Sequence, residues 1–281
     1  MTAAMLERLQ RDLTASGVRL RVMQQGQGLP VVLLHGMFSD ASTWHRLSDA
    51  LSGEFHLVAP DLPGFGESEK PSAGRFPYGI PAFAGTIADL FAGLGLGRAA
   101  VVGHGLGGAV ALTLAARHSE LVSRLVLVDA LCYATAPALH RKVFELPVVG
   151  GFVFKQLWGR TAFRTFYRDH VFAPGASVPL HRIDHYYESF NTPAARGSAL
   201  ATLRATADTR TVEAQTPRIA APTLVVWGRQ DRLYPAALGQ RLARQIRGAG
   251  LALMSTGHAP QEEAPDELAE ILRRFFRDQR A

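Results

Sequence analysis

Short apolar runs that end in glycine or aspartate alternate along the chain with amphipathic stretches of helical length. Strands of a parallel sheet are buried on both faces, so they are apolar along nearly their whole length. The alternation therefore predicts a parallel sheet covered by helices. The predicted strands are Val18–Met23, Pro30–Leu34, Phe55–Ala59, Ala99–Gly103, Leu125–Asp129, Thr223–Trp227 and Leu251–Ser255.

Several stretches between these runs carry apolar residues at helical spacing, which predicts helices that pack one face on the sheet. A further predicted helix, 109–118, directly follows a glycine-rich turn. We interpret the two clearest apolar stripes as core, without chemistry of their own. They comprise Phe83, Ile87, Leu90, Phe91 and Leu94 and, near the C-terminus, Leu268, Ile271, Leu272 and Phe275.

Residues 131–215 break the rhythm, because they contain no clear strand and hold 12 of the 24 aromatic residues. We interpret this segment as a helical insertion, with residues 1–130 and 216–281 forming the main domain. An insertion placed at a strand end lies over the edge where open parallel sheets bind ligands. Some of its aromatic side chains are therefore expected to line an apolar pocket.

Composition narrows the class of protein. The chain has one cysteine, Cys132, which excludes an intrachain disulfide and a Cys-rich zinc site. The N-terminal segment lacks the apolar stretch of a signal peptide, and no run is long enough to span a membrane. The net charge of +6 is scattered along the chain, which argues against nucleic-acid binding. We expect a soluble, cytoplasmic protein with a small-molecule partner and neither metal nor cofactor.

Five motifs occur in an order that points to one family. The segment 101–108, VVGHGLGG, follows a strand, opens a helix and resembles the nucleophile elbow, G-x-S-x-G, of the α/β-hydrolase superfamily. The other four are similar to the oxyanion turn, the D-x-P-G-x-G-x-S loop, the acid motif and the histidine loop of that superfamily. They are LLHGM at 33–37, DLPGFGES at 61–68, WGRQDRLYP at 227–235 and GHAPQEE at 257–263.

The resemblance implies an α/β-hydrolase fold, with a mostly parallel sheet flanked by helices and a helical lid inserted after the sixth core strand. It also implies that His258 is the general base and Asp231 its orienting acid, with Asp129 as a second candidate for that acid. A histidine takes and returns a proton near neutral pH, and a buried carboxylate fixes its tautomer and stabilises the imidazolium. The backbone N–H groups of Met37 and Leu106 would form the oxyanion hole.

Six residues are candidates for contact with substrate. Two belong to the His-Gly turn, one precedes the vacant elbow position and three belong to the aromatic insertion. They are His35, Gly36, His104, Trp158, Phe163 and Tyr186.

The elbow position is Gly105, which has no side chain to attack a substrate. Covalent catalysis by serine or aspartate at this position is therefore excluded. Three interpretations remain: an enzyme that uses His258 and Asp231 as a base dyad on an apolar ester, lactone or ketone-like substrate, a serine hydrolase disabled by a Ser-to-Gly change, and a small-molecule receptor without turnover. The intact base, acid and oxyanion motifs favour the first.

Overall fold

A central sheet of eight strands organises the protein, for which a computed structural model describes residues 8–133, 158–177 and 179–278. The strands lie in the order β1-β2-β4-β3-β5-β6-β7-β8. Strands β1 and β2 run antiparallel to their neighbours, and all later pairs are parallel. The strands are β1 (Leu9–Ala15), β2 (Val18–Gln25), β3 (Leu29–Leu34), β4 (Phe55–Pro60), β5 (Ala99–His104), β6 (Val122–Val128), β7 (Thr223–Gly228) and β8 (Gly250–Met254).

Helices connect the strands and cover both faces of the sheet. A 3-10 turn at Ala41–Trp44, a π-helical turn at Tyr167–Val171 and a 3-10 turn at Thr216–Arg218 complete the regular elements. The described α-helices are α1 (His45–Leu51), α2 (Ile80–Leu94), α3 (Leu106–Arg117), α4 (Arg160–Phe166), α5 (Leu180–Phe190), α6 (Pro193–Ala205), α7 (Arg210–Glu213), α8 (Ala236–Gln245), α9 (Pro260–Glu263) and α10 (Pro265–Arg277).

The predicted mostly parallel sheet with flanking helices is confirmed, and all seven predicted strands are present. Strand β1 was not predicted, because this edge strand exposes most of its side chains and lacks an apolar run. Helix α3 begins three residues before its predicted start. In α10 the buried aromatic residue is Phe276, and the predicted Phe275 is only partly buried.

Alternating side chains of the central strands enter two separate cores. On one face, Val32 and Val101 pack with α2 and α3. On the other face, Val102 and Val226 pack with α1 and α10. Successive residues of a strand point to opposite faces, so a strand covered on both sides must be apolar at every position. This accounts for the continuous apolar runs from which the sheet was predicted.

A third apolar cluster belongs to the helical segment between β6 and β7. It includes Phe163, Tyr186 and Phe190 from α4 and α5, and Phe38 from the main domain packs against it. Phe144, Phe152 and Phe154, three further aromatic residues of the predicted insertion, lie outside the described residues. Within the described ranges, no helix has both the length and the apolar character needed to cross a membrane.

Helix α3 approaches the sheet more closely than side chains allow. A Cβ at Gly107 would lie 2.2 Å from the carbonyl oxygen of Leu34, and a Cβ at Gly103 would lie 2.2 Å from the carbonyl oxygen of Gly107. The Gly107 N–H donates to the His35 carbonyl at 3.1 Å across this contact. The first turn of α3 is thereby packed directly on the carboxyl end of β3.

We expect Gly107→Ala to lower the free energy of unfolding by at least about 2 kcal/mol, because a methyl group there meets backbone atoms that cannot move aside. Gly85→Ala is the matched control, since a Cβ at this position of α2 meets no atom within 4 Å. The control should gain about 0.5–1 kcal/mol from helix propensity. Urea denaturation measures both, and equal effects of the two substitutions would contradict the close approach.

Candidate active site

A sharp turn between β5 and α3 lies at the centre of the site. Gly105 adopts φ +52° and ψ −113°, a conformation that strains residues with a side chain. Its N–H donates to the Val128 carbonyl at 3.0 Å, and its own carbonyl accepts from Leu131 N at 2.9 Å. These bonds hold the turn against β6. A Cβ at Gly105 would lie 3.4 Å from His258 Nε2, which is ordinary van der Waals contact.

Two backbone N–H groups beside this turn are not used within the described part of the chain. Leu106 is the first residue of α3, and the first N–H groups of a helix have no partner within it. Gly107 and Gly108 satisfy theirs on His35 and Gly105, whereas the Leu106 N–H donates to no described acceptor. The Met37 N–H, in the loop after β3, is likewise without a described acceptor.

His258 and Asp231 form a buried hydrogen-bonded pair. His258 Nδ1 lies 2.8 Å from Asp231 Oδ2. Asp231 Oδ1 accepts from Leu233 N at 2.7 Å and Tyr234 N at 2.8 Å. Burial disfavours the charge of Asp231, but His258, the Tyr234 N–H and the Asp129 side chain together outweigh it, and the pKa of Asp231 lies below its usual value. With Nδ1 held in this way, Nε2 faces Gly105.

The loop that carries His258 is anchored from three sides. His104 Nε2 lies 2.7 Å from the carbonyl oxygen of His258, and the His258 N–H donates to the Val171 carbonyl at 2.6 Å. Glu263 accepts from Gly257 N at 2.9 Å and from Ala173 N at 3.0 Å. This anchoring role of Glu263 was not predicted, although the residue belongs to the histidine loop at 257–263.

His104 is a neutral residue of the site. Burial, and next the neighbouring His258, lower its pKa to about 3. An imidazole at that pKa carries no charge at neutral pH, so its Nε2 carries the proton that it donates to the His258 carbonyl. His104 therefore supports the position of the His258 loop.

Asp129 lies behind the pair, directly after β6. It is fully buried, and its Oδ1 accepts from Gly228 N at 2.9 Å. His258 is bonded to Asp231 and not to Asp129, so the geometry favours Asp231 as the orienting acid. Burial, and next the negative charge of Asp231, raise the pKa of Asp129 well above its usual value.

Among the described residues, Asp129, Asp231 and His258 also form a group whose potential metal-ligand atoms all lie within 4.8 Å of one another. Asp231 and His258, however, direct their ligand atoms at each other and form a hydrogen bond. The arrangement is a hydrogen-bonded His–Asp pair with a second carboxyl group beside it.

A cavity of about 600 Å³ opens above the turn. Its lining includes both main-domain residues of the site and side chains from the helical segment between β6 and β7. Aromatic and aliphatic groups dominate the walls, as is usual for small-molecule sites. Among the lining residues are Met37, Leu106, His258, Trp158, Tyr167 and Tyr186.

Of the predicted substrate contacts, His104, Trp158 and Tyr186 line this cavity, whereas His35 and Phe163 do not. His35 is fully buried, and its Nε2 accepts from Leu62 N at 2.9 Å, so it braces the neighbouring loop. Phe163 is enclosed by other rings of the aromatic cluster. Gly36 is not a lining residue either, but its Cα lies 3.7 Å from where a Cβ of Gly105 would be.

Phe38 connects the main domain to the helical segment. Its backbone is in the left-handed region at φ +60°, which is unfavourable for a bulky residue. Its carbonyl accepts from the Tyr167 hydroxyl at 2.5 Å. Its ring meets four others edge to face, those of Trp158, Phe163, Phe166 and Phe190. The contacts offset the backbone strain next to the Met37 N–H.

Helix α5 docks on the main domain through one polar face. Arg182 Nη2 donates to the Ser42 carbonyl at 2.8 Å and pairs with Glu262 at 2.8 Å. One turn along, His185 Nε2 lies 3.1 Å from the buried Asp40 carboxylate. This Asp40 contact raises the pKa of His185 against the opposing effect of burial.

The comparisons with known proteins agree with this architecture. The profile of the Alpha/beta hydrolase family matches residues 31–271. The 2-hydroxymuconate semialdehyde hydrolase of Pseudomonas putida is 27% identical over 95% of this chain and 93% of its own. The pimeloyl-acyl-carrier-protein methyl ester esterase of Neisseria meningitidis is 29% identical over 91% of this chain and 81% of its own.

Solved structures give the same answer. Cfl2 from Burkholderia cenocepacia has a TM-score of 0.81 and 28% identity, covering 95% of each chain. The sheet, the helices and the family profile together define the class, and the chain belongs to the alpha/beta hydrolase family. The two relatives named above are hydrolases.

The ion pair between His185 and Asp40 should make docking of α5 dependent on pH. A histidine with a raised native pKa adds its full stabilisation below about pH 6.5, its unfolded value, and loses it as the pH rises through the native value. We expect His185→Gln to lower stability by less than about 1 kcal/mol near pH 5.5, because His185 is half exposed.

Thermal unfolding from pH 5 to 9 measures this effect, and the difference from the unchanged protein should close at pH 9. His181→Gln on the exposed side of the same helix is the control and should show no such trend. A deficit of His185→Gln that grows with pH would contradict the assignment.

Proposed function

We propose that this protein is an enzyme that uses His258 and Asp231 as a general-base dyad, without a serine nucleophile. One observation carries the proposal: Nδ1 of His258 is bonded to Asp231, and Nε2 faces the space that an elbow side chain would occupy. A base must reach its proton directly or through one water molecule. A water molecule beside Gly105 meets that requirement.

In this mechanism Nε2 of His258 takes a proton from a water molecule whose oxygen attacks the carbonyl carbon, and the imidazolium returns the proton to the alkoxide that leaves when the acyl C–O bond breaks. With a ketone-like substrate, Nε2 instead takes the proton from an activated carbon. The buried carboxylate of Asp231 stabilises the imidazolium that forms. The N–H groups of Met37 and Leu106 then bind the oxygen on which negative charge develops. Both groups are without described acceptors, so neither has to break a bond in order to serve.

The cavity supports a substrate class. Its walls are largely apolar, and its volume of about 600 Å³ suits a small molecule. At the turn, a carbonyl carbon would lie between His258 and the N–H pair. We therefore propose an apolar substrate with a carbonyl group: an ester, a lactone or a ketone-like compound. The relatives named for semialdehyde and methyl ester hydrolysis support a carbonyl substrate.

A hydrolase disabled by loss of a serine is the second candidate, and the fit of a Cβ at Gly105 favours it. Glycine also removes the strain that a side chain would suffer at φ +52°. Such a protein would retain its pocket and lose most of its rate, because loss of the nucleophile alone costs about a millionfold in serine hydrolases. A receptor without turnover would likewise keep the pocket.

The dyad is tested by turnover of a panel of small esters, enol lactones and vinylogous ketones. We expect His258→Ala to lower kcat about 10²- to 10⁴-fold, because proton transfer by a positioned side chain contributes that much. Asp231→Asn should also lower kcat, because it leaves the imidazole of His258 in the wrong tautomer. Substrate affinity should change little in either variant.

Mass spectrometry during turnover provides the control, since the dyad mechanism forms no covalent adduct with the protein. Turnover that survives His258→Ala, or an acyl adduct on any residue, would refute the proposal. Binding without turnover, weakened rather than abolished by His258→Ala, would instead favour a receptor.

Gly105→Ser tests the second candidate. A serine Cβ has room here, and its hydroxyl would meet a base, an acid and two N–H donors already in place. We expect the variant to hydrolyse short p-nitrophenyl esters with a burst of nitrophenol. Gly105→Ala is the matched control and should show neither burst nor gain. A folded serine variant without activity would count against the disabled hydrolase and leave the dyad untouched.

A further inference from the structure

Two buried carboxyl groups, those of Asp129 and Asp231, lie close together behind His258. The Asp231 side chain is fully buried, and Asp129 has no exposed surface either. Their ligand atoms and that of His258 all lie within 4.8 Å of one another. Two carboxylates at such a distance in a dry interior do not both ionise unless cations compensate them. The question is which carboxyl group holds the proton.

The hydrogen-bond donors around each carboxyl group give the answer. Asp231 is served by His258 Nδ1 and by the N–H groups of Leu233 and Tyr234. Asp129 receives one N–H, from Gly228, on Oδ1. Its Oδ2 is buried and receives no N–H donor among the described residues, and the Asp129 side chain lies within hydrogen-bonding reach of the Asp231 carboxyl group, a contact that requires a proton on one of the two. A carboxylate surrounded by donors keeps its charge, whereas one with an oxygen that receives no donor does not.

We propose that Asp129 carries a proton at neutral pH and acts as a positioning residue that keeps a single negative charge behind His258. The inference extends the proposed function, in which His258 is the base. A second buried anion would favour the imidazolium form of His258, which cannot accept a proton. A protonated Asp129 therefore leaves the imidazole of His258 able to accept a proton, and the Asp129 hydroxyl would donate to the Asp231 carboxylate.

The charged groups that face Asp129 support this assignment. Asp231 and Glu263 are acidic, and both raise the pKa of Asp129, whose burial is the larger cause. The adjacent His258 is already paired with Asp231. No arginine or lysine of the described residues forms an ion pair with Asp129. The electrostatic setting is thus acidic and dry, and protonation relieves it.

Infrared spectroscopy of the unaltered protein tests the proton directly. With ¹³C-labelled aspartate, we expect a protonated-carboxyl stretching band that persists at pH 8.5. Asp61 is the other aspartate with a raised pKa, about 7, and it loses its proton below that pH. Absence of the band at pH 8.5 would overturn the proposal, and this measurement does not depend on a variant that folds.

Asp129→Asn provides the second test, because asparagine is isosteric with the neutral acid and tolerates the φ of +43° at this position. A native carboxyl that keeps its proton, while the unfolded one ionises near pH 4, makes the unaltered protein less stable as pH rises. The asparagine variant lacks this loss. The ratio of the two unfolding constants should therefore change up to about tenfold per pH unit between pH 4 and 8.

Asp266→Asn, at an exposed position of α10, is the matched control and should show a ratio that is independent of pH. A flat ratio for Asp129→Asn, or one of opposite slope, would show an ionised Asp129 and overturn the proposal. Neither readout involves turnover. If the band persists and His258→Ala does not change turnover, the base dyad is refuted and the protonation of Asp129 stands. If the band is missing, the protonation of Asp129 is refuted and the base dyad stands.

Discussion

The close approach of helix α3 to the sheet is the constraint on which the rest of the site depends. Glycine at positions 103 and 107 lets the backbone of α3 meet the backbone of β5 and of β3, where a Cβ would lie 2.2 Å from a carbonyl oxygen. This contact brings the Leu106 N–H beside the loop after β3 and turns Gly105 toward His258. The turn, the N–H pair and His258 are neighbours because no side chains separate these elements.

Charge in this crowded region is handled by few groups. His104 and His35 are both buried, and burial lowers the pKa of each, so neither adds a positive charge. Both instead hold loops in place. His104 is hydrogen-bonded to the loop that carries His258, and His35 to the loop that carries Leu62. The negative charge next to His258 therefore belongs to Asp231, whose carboxylate accepts from three backbone or ring donors.

The helical segment contributes to the site in two ways. Trp158, Tyr167 and Tyr186 supply apolar wall, and Phe38 ties the segment to the loop that carries Met37. Its strained backbone persists because rings surround it and the Tyr167 hydroxyl holds its carbonyl. Docking of these helices thus also constrains the loop next to one of the two N–H groups.

The sequence by itself determined the parallel sheet, the glycine turn at 103–108 and the two loops that carry Asp231 and His258. Apolar runs and glycine-rich motifs are local patterns, and local patterns can be recognised in the sequence without knowledge of tertiary contacts. Strand β1 escaped because an exposed edge strand has no such pattern. Only the tertiary structure decided that His258 bonds Asp231 rather than Asp129, that His35 and Phe163 lie away from the cavity, and that Glu263 anchors the histidine loop. Those outcomes depend on distances between residues far apart in the chain, which arise only when separate strands end at a common edge.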